Sequence, residues 1–251
     1  TAASAGTATI TSASSGAYTF NPGTAFQYLA VTESAPATFT FKATDNHGAD
    51  SATQTITITV TGLNDAPTAS DDSLSTDQNT AVSGTLQASD VDTSDTRTFS
   101  IVTQPTAGTL TLTNPTSGAF SFDPNGAFAS LGANASTQVT FTFKATDNHG
   151  ADSATKTITI TVNGLNDAPV ATDDSKTTDE DTAVSGTLPA SDADSGDTLT
   201  FSIVTAASAG TATITSASSG AYTFNPGTAF QYLAVTESAP ATFTFKATDN
   251  H

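Results

Sequence analysis

Thr157-Ile-Thr-Ile-Thr-Val162, followed shortly by Gly164-Leu-Asn-Asp-Ala-Pro169, joins two signals in one stretch. The first is strict alternation. Ile158, Ile160 and Val162 fall on one face of an extended chain and threonines on the other, the period of a half-buried strand. The second is an acidic joint that already occurs as Gly62-Leu-Asn-Asp-Ala-Pro67, so that Asn64 and Asn166 lie 102 residues apart. The same offset carries Asp45 to Asp147 and Asp249, Asp90 to Asp192, and Phe99 to Phe201. The chain is therefore a tandem array. Residues 1–47 recur letter for letter at 205–251, whereas 103–149 match them only in pattern, so two repeat types alternate with a super-period of 204.

A period of 102 residues is an ordinary domain size and divides the 251 residues into three instalments. Residues 1–66 correspond to the last two-thirds of a repeat, 67–168 form one complete repeat, and 169–251 form a repeat without its last strand. The two partial instalments are expected to be open sandwiches, either a window on a longer continuous fibre or sheets completed by strand exchange between chains. With 15 Phe, 4 Tyr, no Trp and no Met, each repeat has material for one thin core. There is no Cys, so disulfides cannot brace it, and rigidity must come from another source, for which bound calcium is the expectation.

Within 67–168 the alternation predicts seven strands, near 71–77, 81–88, 97–104, 108–113, 118–122, 137–146 and 153–163. Val139, Phe141, Phe143 and Ala145 share one face, as do Leu110 with Leu112 and Phe120 with Phe122. Asn114-Pro-Thr-Ser-Gly118 and Asp123-Pro-Asn-Gly126 carry turn chemistry between them. No stretch reads as a long helix. Seven short strands, each with one inward face, predict an all-β fold, a Greek-key β-sandwich of two sheets, with a barrel as the lesser alternative.

The 24 acidic against 6 basic side chains leave a net charge of −18, which argues against nucleic acid and anionic membrane surfaces as partners. No stretch approaches the roughly 18 apolar residues of a membrane span. The acids are unevenly placed. None lies between Thr98 and Phe122 or between Pro124 and Thr146; they gather at Asp71-Asp72, Asp77, Asp90-Val-Asp92 with Asp95, Asp147 and Asp167. The third instalment repeats the pattern with Asp173-Asp174, Asp179-Glu180-Asp181, Asp192-Ala-Asp194 with Asp197, and Asp249. A polar turn alone explains an Asp-x-Asp-x-x-Asp loop. The joint recurrence of that loop, an Asp before the last strand and an Asn-Asp-Ala-Pro joint favours a hard cation such as Ca²⁺, which gathers about six to eight oxygens from several segments.

Ala190-Ser-Asp-Ala-Asp-Ser-Gly-Asp-Thr-Leu-Thr-Phe-Ser-Ile203, with Ala247-Thr-Asp249 and Ala168-Pro169, resembles cadherin repeats. Asn166-Asp-Ala-Pro-Val-Ala-Thr-Asp-Asp-Ser175 and Thr178-Asp-Glu-Asp-Thr182 are more closely similar to the cadherin-like and VCBS-type tandem repeats of giant bacterial surface adhesins, including extender repeats of the RTX-adhesin kind. The resemblance spans the whole chain and implies immunoglobulin- or cadherin-like sandwiches in a linear rod, with Ca²⁺ at each joint. For the first joint it implies Asn64 (through its carbonyl), Asp65, Asp90, Asp92 and Asp147, with Glu33 from the preceding repeat. For the second it implies Asn166, Asp167, Asp192, Asp194 and Asp249, with Asp77 from the preceding repeat. Two departures stand out. A cadherin joint opens with aspartate where this chain has Gly62 and Gly164, and the first-strand glutamate, present as Glu180, is Gln78 in the complete repeat. One or two ions per joint are expected, fewer than a cadherin holds.

The resemblance and the charge pattern together imply structural, calcium-stiffened extender repeats of an extracellular bacterial adhesin, filament or biofilm matrix. Their partners would be calcium ions and neighbouring repeats, with any surface glycan or other cell bound by a domain outside this stretch. A carbohydrate- or ice-binding module acting through the repeats, on Thr-x-Thr rows such as Thr7-Ala-Thr-Ile-Thr11, is the alternative. An enzyme is not expected, since the sequence has no nucleophile elbow and no glycine-rich phosphate loop. His47, His149 and His251 each sit in Asp-Asn-His, one per repeat, too sparse for a zinc site and read as turn residues beside the acidic loop. Asn134-Ala-Ser136 fits a glycosylation triplet.

Overall fold

The computed structural model describes residues 1–251 and contains strands but no helices. The first instalment forms β1 (Thr7–Ser12), β2 (Ala17–Asn21), β3 (Ser34–Phe41) and β4 (Gln54–Thr61). The middle repeat forms β5 (Thr68–Ala69), β6 (Asp72–Asp77), β7 (Val82–Thr85), β8 (Ala88–Ser89), β9 (Arg97–Thr103), β10 (Thr109–Asn114), β11 (Ala119–Asp123), β12 (Ser136–Asp147) and β13 (Lys156–Asn163). The third forms β14 (Val170–Ala171), β15 (Val184–Thr187), β16 (Ala190–Ser191), β17 (Thr200–Thr205), β18 (Thr211–Ser216), β19 (Ala221–Asn225) and β20 (Thr244–Thr248).

The middle repeat is a sandwich. A sheet in the order β10-β11-β7 packs on one in the order β6-β13-β12-β9, and the short β5–β8 pair stands beside them. The seven strands read from alternation are present. The 81–88 stretch differs, because it is split: Val82–Thr85 pairs with β11 while Ala88–Ser89 leaves that sheet to pair with β5. β13 runs parallel to β6, matching Ile160 to Leu74 and Asn163 to Asp77, and antiparallel to β12, matching Phe141 to Ile158 and Val139 to Ile160. Every second residue of β12 and β13 is therefore buried.

The inward residues make one core of 14 buried side chains, among them Phe120, Phe122, Phe141, Phe143, Ile158, Ile160 and Val162. Phe120 and Phe141 meet edge to face from opposite sheets, ring centres 5.2 Å apart. The Phe120 ring packs against β7 at Gly84, where a Cβ would lie 2.5 Å from it. Gly186 gives the same room to Tyr222 in the third instalment.

The outer instalments have the same strands but fewer of them. In the first, β1 pairs with β2 and β3 with β4, over a core of three buried residues, Phe26, Leu29 and Ala37. In the third, the sheets are β15-β19-β18 and β17-β20, over Leu188, Phe201 and Tyr222. Residues 172–179, the counterpart of β6, form no strand there, since β6 is held by β13 and residues 169–251 contain no counterpart of β13. A cleft of about 1140 Å³ opens instead, lined by Val184, Leu188, Tyr222, Phe243 and Phe245 among others.

Sheet completeness decides how well identical residues are buried. Phe143, on β12 between β9 and β13, is fully buried, whereas its counterpart Phe41, on β3 with β4 alone beside it, is 38% exposed. Phe143→Ala is expected to cost about 3–5 kcal/mol and Phe41→Ala under about 1 kcal/mol in urea unfolding of the 251-residue chain. Equal costs would contradict this description of the packing.

Candidate metal centre

Two clusters of oxygen ligands form at the joints, each assembled by three separate segments. At the first, the linker between β4 and β5 supplies Asn64 and Asp65, the loop between β8 and β9 supplies Asp90, Asp92 and Asp95, and the end of β12 supplies Asp147. The sandwich brings them together because β8 and β12 end, and β9 begins, at the same edge, where Arg97 pairs with Asp147. Asn64 Nδ2 donates to Asp147 Oδ2 at 2.9 Å, and the Asp65 N–H donates to Asp92 Oδ2 at 2.8 Å. The Asp92 N–H donates to Asp90 Oδ1 at 3.1 Å, which curls the loop. Asp147 Oδ1 in turn accepts from the N–H groups of His149 and Ala151 at 2.8 and 2.9 Å.

Asp147 spends both oxygens on these bonds, whereas Asn64, Asp90 and Asp92 each keep one oxygen free. Asn64 Oδ1, Asp90 Oδ2, Asp92 Oδ1 and Asp95 Oδ1 are buried with no hydrogen-bond partner. Asp92 is 1% exposed and Asp95 9%. Buried carboxylate oxygens without donors are costly, and such groups are ordinarily paired or bound to a cation. The Asp95 and Asp147 carboxylates and a His149 ring nitrogen lie within 4.8 Å of one another.

The electrostatics match the crowding. Burial pushes the Asp90 carboxyl above its ordinary value, and the charges of Asp92, Asp95 and Asp147 add to the rise against the Asp92 N–H bond. Burial also acts upward on Asp147, but hydrogen bonds from the Asn64 side chain and the Ala151, His149 and Gly150 backbone carry it below its ordinary value. The hydrogen bond to Asp95 raises His149, helped by the charges of Asp95, Asp147 and Asp92. The ring nitrogen Nδ1 sits 3.0 Å from Asp95 Oδ2. His149 is a turn residue beside the acidic loop, with its imidazole set on the cluster's rim.

The second joint repeats the arrangement. Asn166 Nδ2 donates to Asp249 Oδ2 at 3.0 Å, the Asp167 N–H to Asp194 Oδ2 at 2.8 Å, and the Asp194 N–H to Asp192 Oδ1 at 3.0 Å. The Asn166 side chain, with the His251 N–H, lowers Asp249. Asp192, Asp194 and Asp197 present oxygens within 4.8 Å of one another, and Asp192 Oδ2, Asp194 Oδ1 and Asp197 Oδ2 are buried and unpartnered.

Ten of the twelve residues expected from the sequence thus gather at the joints: Asn64, Asp65, Asp90, Asp92 and Asp147, and Asn166, Asp167, Asp192, Asp194 and Asp249. Glu33 and Asp77 do not join them. Glu33 Oε2 accepts from the Ala30 N–H at 3.0 Å, closing its own turn, and Glu237 does the same to Ala234 at 2.9 Å. Asp77 is exposed because strand alternation turns it outward; its neighbour Gln78 is the buried residue, and Gln78 Nε2 reaches Asp167 Oδ2 at 3.2 Å. The ligand set implied by the resemblance leaves out Gln78, Asp95 and Asp197, although the acidic loops read for a cation contain both aspartates. The 102-residue match of Gln78 to Glu180 and the spacing of the third acid in each loop were the available signals.

Gly62 and Gly164 have a packing reason. A Cβ on Gly62 would lie 2.2 Å from the Leu29 carbonyl oxygen, and one on Gly164 2.3 Å from that of Gly132. An aspartate cannot occupy either position unless the loop before β3 or β12 moves.

The donor sets are oxygen-rich and suit a hard divalent cation better than zinc. The family model described as a bacterial cadherin-like domain matches residues 64–164 and 166–251. No curated protein matches the sequence. Among solved structures, the extracellular domain of protocadherin GammaB4 aligns with a TM-score of 0.50 at 16% identity, covering 97% of this chain and 43% of that one. Extracellular cadherin domains 1–4 of protocadherin gamma B7 align with a TM-score of 0.46 at 16% identity, covering 87% and 57%. Drosophila N-cadherin EC1-4 gives 0.33 at 19% identity, covering 86% and 57%. The chain spans about half the length of these structures.

The raised Asp90 carboxyl gives a pH prediction for metal-free protein. A carboxyl whose folded pKa exceeds its unfolded one favours folding below the unfolded pKa, and that contribution is lost as pH rises through the folded value. Asp90→Asn is therefore expected to melt above the wild type at pH 7 in chelator, the gap closing as the pH falls into the carboxylate range. A gap constant with pH in thermal melts would contradict the assignment.

Proposed function

The chain belongs to the bacterial cadherin-like domain family, and on that premise we propose that it is a run of calcium-stiffened extender repeats from a bacterial cell-surface adhesin or extracellular filament. The repeats divide at 1–66, 67–168 and 169–251. The observation that carries this reading is the set of buried, unpartnered oxygens at both joints, from Asn64 of the linker and the Asp90–Asp95 loop at the first, and from the Asp192–Asp197 loop with Gln78 at the second.

The mechanism is mechanical. Without a cation, the carboxylates of Asp90, Asp92, Asp95 and Asp147 repel one another; at an effective dielectric of about 20, two charges about 4 Å apart cost roughly 4 kcal/mol. The joint then relaxes by letting linker and loop separate. Calcium would be held by Asn64 Oδ1, Asp65, Asp90, Asp92, Asp95 and Asp147 at the first joint. At the second it would be held by Asn166, Asp167, Asp192, Asp194, Asp197 and Asp249. When bound, the ion supplies positive charge at the point where linker and loop meet, and it ties the linker's residues to the next sandwich. A series of such joints is a stiff spacer that carries a binding domain away from a cell surface, or a strand of extracellular matrix.

Calcium is expected to raise the melting temperature and lengthen the particle in small-angle scattering, and chelator to reverse both. Asp92→Asn, which removes one charge from the most buried acid of the first joint, is expected to lose part of the calcium-dependent rise in melting temperature. A chain whose melting and dimensions ignore calcium would sink the reading.

A further inference from the structure

At the second joint, resting on the calcium reading above, we propose that the side-chain amide of Gln78 stands in for a cation, so that this joint holds one fewer calcium ion than a joint preceded by glutamate at the same position.

Gln78 follows β6 directly, and its backbone is fixed by an N–H bond to the Asn163 carbonyl at 2.8 Å, at the end of β13. Its side chain is fully buried and aimed at the linker. Nε2 donates to the Leu165 carbonyl at 3.4 Å and to Asp167 Oδ2 at 3.2 Å. An amide nitrogen has two donors, and both are used here on oxygens of the linker. Bridging a backbone carbonyl and a carboxylate is what a hard cation does in an oxygen-lined site. The amide does it with a partial positive charge and no ion. Gln78 Oε1 remains buried and unpartnered, alongside the free oxygens of Asp192, Asp194 and Asp197 that the remaining ion would use.

The second repeat type shows the contrasting case. Position 180, the counterpart of Gln78, is glutamate, and its Oε2 is buried without a partner. An ionised carboxylate has no donor to offer. Placed at position 78, opposite the Leu165 carbonyl and the Asp167 carboxylate, a glutamate would add a third acceptor to two, and only a cation would reconcile them. Because the two repeat types alternate, joints following a Gln78-type repeat and joints following a Glu180-type repeat differ in ion content. One grade needs less calcium to close, the other gains more from it.

Gln78→Glu in the 251-residue chain tests this, with Gln78→Leu as a control that removes both the donors and the oxygen. Native mass spectrometry across a CaCl₂ titration counts the ions, and thermal melts with and without calcium report folding. Gln78→Glu is expected to bind one more calcium per chain than the wild type, to melt lower in chelator and to show the larger gain when calcium is added. Gln78→Leu is expected to bind no additional ion. An unchanged count in Gln78→Glu, with the wild type still binding calcium, overturns the role of the amide and leaves the calcium reading standing. A wild type that binds no calcium removes both.

Discussion

The structure depends on carboxylate oxygens that are buried at the joints with too few donors to satisfy them. A sandwich of this family could close its ends with a few aliphatic side chains. Instead Asp92, Asp95 and Asp147 are among its most buried polar residues, and Asp90 is held beside them against its own preference for ionisation. The N–H groups that reach the cluster shape it but do not saturate it: Asp90 and Asp92 each accept a bond on one oxygen and leave the other buried without a partner. Such an arrangement is stable only with compensating positive charge, and six Lys and Arg in the whole chain do not supply it at these points.

The rest of the fold makes the convergence possible. β8 and β12 end and β9 begins at one edge of the sandwich, so the Asp-x-Asp-x-x-Asp loop and the aspartate at the end of β12 meet there. The linker is kept against the same edge from the other side. The Gly62 N–H donates to the Glu33 carbonyl at 2.9 Å and the Gly164 N–H to the Ala135 carbonyl at 2.8 Å, in contacts too close for any side chain. The absence of aspartate at Gly62 and Gly164 is thus a consequence of how tightly the preceding repeat grips its linker. That grip gives up one carboxylate and delivers the next residues, Asn64 and Asp65, to a fixed place.

Much of this was legible in the sequence because alternation and repetition are local, countable signals. The period-two pattern of Val139, Phe141, Phe143 and Ala145 gave β12 almost to the residue, and the offset from Asn64 to Asn166 gave the repeat. The acids of the loop were legible as a group, since their spacing recurs. What escaped depended on side-chain direction. Whether Asp77 or Gln78 faces the joint is a question of one residue in a strand, and charge favoured the wrong one. Glu33 reads as a ligand for the same reason, whereas one of its carboxylate oxygens is held by the Ala30 N–H of its own turn. Asp95 belongs to the loop that favours a cation but not to the ligand set the resemblance implies; its burial, at 9% exposure, is visible only in the fold.

Direct contact between successive repeats is slight outside the acidic clusters, and this assigns the work of orientation to them. At the first joint the Thr93 N–H donates to the Tyr28 carbonyl at 3.3 Å, and at the second the Ser195 N–H donates to the Ser130 carbonyl at 3.0 Å. Leu63 and Val91, which flank the first joint, stay largely exposed, so no apolar interface of any size forms there. A hydrophobic interface would hold two sandwiches together in any medium. Under the calcium reading, buried oxygens with unmet coordination hold them where cations are available and push them apart elsewhere. On that reading, stiffness in this chain is a property of the solution as much as of the fold.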